Sequence, residues 1–143
     1  MKKTFVLAMT IVAVLFIACN NQDKKGSDNP YVGAWELTYT KYVFPDSIAE
    51  TSQFAYPTVK LMTNKHYAFG RQDGLNKIKG GGGEYSIKGD VVITYPKYHS
   101  SINAGDSLVL KSKLEGDLWK VSFSTTYNSK KVDAIETWKR IKE

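Results

Sequence analysis

Residues 31–143 alternate apolar and polar side chains with a period of two, and Gly, Asn and Asp interrupt the alternation at short intervals. Period two marks strands with one buried face. Breaks this close together leave no room for the long crossovers that a parallel sheet needs. Strand-like runs cover residues 34–42, 58–63, 66–71, 82–88, 90–98, 107–115, 117–126 and 131–141. Ile87-Lys88-Gly89-Asp90-Val91 and Leu114-Glu115-Gly116-Asp117-Leu118 each set a glycine between two such runs, where a hairpin turn requires positive φ. Asn64-Lys65 reads as a further tight turn. Strands joined in this way form an antiparallel meander, and about eight of them close into a barrel without exposed edges. The expected fold is therefore all-β, an up-and-down antiparallel barrel of about eight strands.

Two segments depart from the rhythm. Pro45-Asp46-Ser47-Ile48-Ala49-Glu50 carries the Ser-x-x-Glu spacing of a capping box. It reads as a short helix after the first strand, with a plain surface connection as the alternative. Gly80-Gly81-Gly82-Gly83 leads into Glu84-Tyr85-Ser86-Ile87 rather than into a helix start with Lys and Ser or Thr. That context excludes a phosphate cradle and predicts the start of a strand with a bulge or sharp bend.

The first 30 residues are of another kind. Lys2 and Lys3 form a basic start, and residues 5–18 are apolar apart from Thr10. This core suits a secretory signal and is shorter than the roughly 20 residues of a membrane-spanning helix. Cys19 is the only cysteine of the chain. Phe16-Ile17-Ala18-Cys19 resembles the lipobox of bacterial lipoproteins, in which cleavage precedes the cysteine and lipid is attached to it. The resemblance implies a signal peptide over residues 1–18 and a lipid on Cys19. Residues 20–30 hold no apolar side chain to bury and read as a flexible tether. Together with Cys19 they make up segment 19–30, leaving residues 31–143 as one domain large enough for a single core. Asn20 rather than Asp after the cysteine implies, by resemblance to Gram-negative lipoproteins, the outer membrane.

The formal net charge is +6. Lys60, Lys77, Lys88, Lys111, Lys113, Lys120 and Lys139 are scattered among apolar residues and read as a solvated outer face. Export separates the chain from nucleic acid, so nucleic acid is not an expected partner. The two histidines, His66 and His99, have no metal-ligand spacing, and no nucleophile motif is present. No metal, cofactor or catalytic residue is expected, and the chain does not read as an enzyme.

Gly33-Ala34-Trp35, opening the first strand, resembles the Gly-x-Trp signature of lipocalins and their calycin relatives. Glu136-Thr137-Trp138-Lys139-Arg140 on the last strand resembles the second half of that signature, in which a basic residue packs across the first-strand Trp. His66-Tyr67-Ala68-Phe69 through the glycine run to Tyr85-Ser86-Ile87-Lys88-Gly89-Asp90 is similar to small bacterial lipocalin-like lipoproteins. The resemblance covers residues 31–142. It implies that Gly33, Trp35, Trp138 and Arg140 close the barrel. Glu136 shares a face with Trp138 and Arg140 and is placed to pair with Arg140 or with a lysine.

Nine tyrosines and three tryptophans supply the interior. The expected inward set is Trp35, Leu37, Tyr39, Val59, Leu61, Tyr67, Phe69, Tyr85, Ile87, Ile93, Tyr95, Trp119, Val121 and Phe123. Of these, Leu37, Tyr39, Tyr67, Phe69, Tyr85, Ile93, Tyr95, Trp119 and Phe123 are candidates to line a cavity. The expected function is a monomeric, membrane-anchored module that binds a small apolar or amphipathic ligand in the barrel. The alternative is a structural or interaction lipoprotein of the cell envelope, with a filled barrel and a protein partner.

Overall fold

The computed structural model describes residues 28–100, 106–127 and 129–142. The signal peptide, Cys19 and most of the tether lie outside these residues. Nine antiparallel strands follow one another: β1 (Gly33–Val43), β2 (Ile48–Thr51), β3 (Thr58–Met62), β4 (His66–Gln72), β5 (Ile78–Lys88), β6 (Val91–His99), β7 (Leu108–Glu115), β8 (Leu118–Tyr127) and β9 (Lys130–Arg140). Neighbours in the sheet are neighbours in sequence from β3 to β9, and β9 returns to pair with β1. The result is a closed, eight-stranded antiparallel barrel with β2 as a short addition. Gly89 and Gly116 both sit at φ 60° in the β5–β6 and β7–β8 turns, the backbone region that hairpins of this kind demand.

One edge of β1 is divided between two partners. Residues 33–36 pair with β3 and residues 40–43 pair with β2. β2 and β3 thus run in the same direction along β1, as one strand interrupted by residues 52–57. This excursion packs Phe54 against the core. The other edge of β1 pairs with β9 from Trp35↔Arg140 to Val43↔Asp133, with a register shift between Leu37 and Tyr39. At that bulge Thr38 Oγ1 donates to the Thr137 carbonyl (3.1 Å). An extra residue flips every later side chain to the opposite face. Trp35 and Leu37 point inward before the bulge, and Thr40 and Tyr42 after it.

The helix expected around residues 45–50 is a hairpin instead. Phe44 N–H donates to the Ser47 carbonyl (2.9 Å), and β2 pairs with β1 from Val43↔Ile48 to Thr40↔Thr51. Pro45 and Asp46 are good turn formers. Glu50 does not return to cap Ser47; its carboxylate lies 3.5 Å from Lys41 Nζ across the ladder. The glycine run lies inside β5 rather than at its start, and the register slips between Gly82 and Gly83.

The core is a cluster of Tyr31, Trp35, Leu37, Met62, Tyr67, Tyr85, Val92, Leu110, Trp119, Val121 and Trp138. Most of its aromatic bulk lies toward the end where β1 begins and β9 finishes, hereafter the base. The opposite end, where β6 finishes and β7 begins, is the mouth.

Candidate functional site

The base is closed by the residues that carried the family resemblance. The Arg140 guanidinium lies 4.1 Å from the centroid of the Trp35 ring, which is fully buried. Its Nη1 donates to the Val32 carbonyl (2.7 Å) and its Nη2 to the Pro30 carbonyl (2.6 Å). Gly33 sits at φ 135°, and a Cβ there would come within 2.7 Å of Arg140 Nη1. The glycine is therefore required twice, by its backbone and by the side chain that passes over it. Trp35 Nε1 donates to the Tyr31 carbonyl (2.8 Å). Trp119 stands edge-on to Trp35 (5.5 Å) and tilted against Tyr31 (5.2 Å). Its Nε1 donates to Ser112 Oγ (2.6 Å), which donates to Tyr31 Oη (3.0 Å). No side-chain nitrogen or oxygen that is wholly shut off from solvent among the described residues lacks a hydrogen-bond partner.

Above this floor lies a charged group that the sequence pattern concealed. Lys60, expected on the outer face, is inside the barrel and only 9% exposed. Its Nζ lies 3.8 Å from the Trp138 ring centroid and 4.9 Å from that of Trp119. Burial drives its pKa down to about 8, while the nearby Glu136 carboxylate acts in the opposite direction. Glu136 is held from two sides: Trp138 Nε1 donates to Oε2 (3.0 Å) and Tyr42 Oη donates to Oε1 (3.2 Å). Burial, and secondarily the carboxylate, raise the Tyr42 phenol well above its ordinary range, while Arg71 pulls it back. Glu136 therefore pairs electrostatically with a lysine, one of the two partners open to it from its face, while Arg140 is engaged at the base.

Cross-strand register explains why Lys60 is inside. Lys60 stands opposite Trp35 on β1 and Phe69 on β4, and Met62 stands opposite Tyr67. Directly opposed residues share a face. Val59 and Leu61 therefore point out, and Leu61 is exposed. The same rule corrects β6. Tyr85 is inside and pairs with Thr94, so Ile93 and Tyr95 face outward; Tyr95 lies within 3.4 Å of Ser86 Oγ on the surface. Tyr39 falls just after the β1 bulge and also faces outward, where desolvation and, after it, a hydrogen bond to Glu50 raise its pKa. Ile87 faces the barrel but is exposed at its end. Of the proposed lining residues, Leu37, Tyr67, Phe69, Tyr85, Trp119 and Phe123 belong to the core or pack against it.

Toward the mouth the interior is less well covered. Phe54, Phe69, Leu108 and Phe123 are only partly buried. His99, which ends β6, lies 5.2 Å ring to ring from Phe69, and burial lowers its pKa. A Cβ on Gly81 would press on both rings, at 2.7 Å from His99 and 3.0 Å from Phe69. Two concavities, of about 380 and 400 Å³, open on the outer wall beside Lys111, Lys113 and Lys120, and beside His66, Glu84 and Tyr95. Among the described residues no group of three or more His, Cys, Asp or Glu is placed to hold a metal ion.

No protein-family model matches this chain, and no curated protein sequence matches it. Its backbone is similar to the crystal structure of an uncharacterized protein from Bacteroides eggerthii DSM 20697. The likeness has a TM-score of 0.50 and 13% sequence identity, and covers 78% of this chain and 99% of the other. At that identity the likeness concerns the fold alone.

Proposed function

We propose that this protein is a lipocalin-like, lipid-anchored lipoprotein that binds a small apolar or amphipathic molecule at the barrel mouth. The observation that carries the reading is the contrast between the two ends. The base is packed with three tryptophans and Arg140, with Leu114 and Ile87 as its less covered apolar side chains, whereas Phe54, Phe69, Leu108 and Phe123 are left partly uncovered toward the mouth. Partly exposed apolar side chains on an inward surface are what a ligand site of this class offers. The lipocalin-like assignment is supported by the Trp35–Arg140 contact across the β1–β9 seam. The anchor on Cys19, the Gram-negative outer membrane and the monomeric state remain parts of the same proposal, supported by the sequence. The competing reading, an interaction lipoprotein with a filled barrel, is favoured by two side chains of the β4–β5 hairpin. Leu75 and Ile78 there are 76% and 84% exposed.

The test is titration of the purified protein with N-phenyl-1-naphthylamine, a neutral apolar probe, read by energy transfer from tryptophan. Saturable binding is expected, and Phe54→Ser should weaken it by about tenfold, equivalent to about 1.4 kcal/mol of lost apolar contact. A folded protein that leaves the probe dark refutes the mouth site. Recovery of a stoichiometric protein partner from detergent extracts would then favour the second reading. Cys19→Ala should move the protein from the membrane fraction to the soluble fraction.

A further inference from the structure

The Lys60 amine is held in an unusual place. It is nine-tenths buried, lies on two indole faces, and makes no hydrogen bond or close ion pair among the described residues. The Glu136 carboxylate acts on it electrostatically, but Trp138 Nε1 and Tyr42 Oη already occupy its oxygens. An interior ammonium can be read as a receiver for an anionic headgroup. Here Glu136 opposes that role, since a second anion beside Lys60 would face a fixed carboxylate in a region of low dielectric. A neutral electrophile meets no such barrier.

We infer that Lys60 is a carbonyl-capturing amine that forms an imine with an apolar aldehyde entering through the mouth. This rests on the mouth being a ligand site and names the chemical class of the ligand. In the reaction the unprotonated Nζ adds to the carbonyl carbon, and a proton passes from nitrogen to the oxygen to give a carbinolamine. The hydroxyl then departs as water with the remaining N–H hydrogen, leaving a carbon–nitrogen double bond. Amine and aldehyde become imine and water, with no oxidant or reductant. Three features of the site suit this chemistry. Burial raises the unprotonated fraction of Lys60 near neutral pH, the usual way in which a lysine becomes a nucleophile. Glu136 is a counter-ion for the iminium form and is held by Trp138 and Tyr42. Phe69, directly opposite Lys60 on β4, offers an apolar wall for the rest of the aldehyde. Arg71, which acts electrostatically on Tyr42, is a second cation near this group.

The experiment treats the purified full chain with 2-naphthaldehyde and sodium cyanoborohydride at pH 7, followed by peptide mass mapping. The naphthylmethyl group is expected on Lys60 at a level at least about ten times that on exposed lysines such as Lys65 and Lys111. Lys60→Met should lose this adduct and keep the surface background. Glu136→Gln should change the pH profile of capture at Lys60 without altering labelling at Lys111. The preference for Lys60 should vanish in denaturant. Labelling of exposed lysines with Lys60 untouched in the native protein overturns the inference. If N-phenyl-1-naphthylamine still binds in that case, the mouth site survives and only the imine falls. If neither probe engages the protein, both fall.

Discussion

At the scale of single residues, the interior contains a charge whose burial has a measurable cost. Lys60 has its pKa lowered from 10.5 to about 8. Between those values the unfolded chain keeps the proton that the folded chain has released, so stability rises with pH across the window. Below pH 8 the cost of burying the ammonium is carried in full, and above 10.5 it is gone. The stability of the wild type relative to Lys60→Met is therefore expected to increase by up to about 3 kcal/mol between pH 8 and 10.5, as read by urea denaturation. A difference that stays flat over that range would contradict the buried ammonium. Trp35 is the complementary case, an apolar group whose loss leaves a void and strips the guanidinium of its ring. Trp35→Ala should lower stability by about 3–5 kcal/mol, and a melting temperature that barely moves would refute the closure. Arg140→Lys keeps the charge but not the two-pronged donation to Pro30 and Val32. It should cost about 1–3 kcal/mol in the same assay.

Elements show which features sequence reasoning reaches and which it misses. The strand runs and the turns at Gly89 and Gly116 were legible because turn chemistry is local. Faces were less legible, because a face is set by a partner strand. Placing Tyr67 and Phe69 inside already demands Met62 and Lys60 inside, given the turn at Asn64-Lys65. Apolar preference for Val59 and Leu61 hid that consequence. Tyr39 was misplaced for a different reason, a bulge at Thr38 that leaves no mark in the local pattern. Glu136 was placed on the correct face, but Tyr42 was not anticipated, since it lies beyond the same bulge. The glycine run was read rightly as a distortion, and its chemistry is now specific. A Cβ on Gly83 would collide with the Tyr95 carbonyl oxygen, whereas one on Gly74 meets nothing within 4 Å. Gly83→Ala is expected to destabilise by about 1–3 kcal/mol and Gly74→Ala to change stability by less than about 1 kcal/mol, compared by thermal melting. Equal melting temperatures would show that the bulge tolerates a side chain.

As a whole molecule the barrel consists of two four-stranded halves, β3–β6 and β7–β9 with β1. They meet along two short ladders of four register pairs each, β1 with β3 and β6 with β7. By contrast β8–β9 and β1–β9 pair along nearly their full lengths. Backbone amides at the two short ladders are expected to exchange with deuterium before those of β8, β9 and the facing edge of β1, measured by peptide-resolved mass spectrometry. Uniform protection around the barrel would show that the ladders open together. The chain itself enters through the sealed end. Asn29 Nδ2 donates to Tyr85 Oη (2.6 Å), Tyr31 N–H donates to Asn29 Oδ1 (3.0 Å), and the Pro30 and Val32 carbonyls are gripped by Arg140. The polypeptide therefore joins the domain at its floor, and a pull on Asp28 would be resisted first by the guanidinium clasp at the end of the barrel remote from the rim.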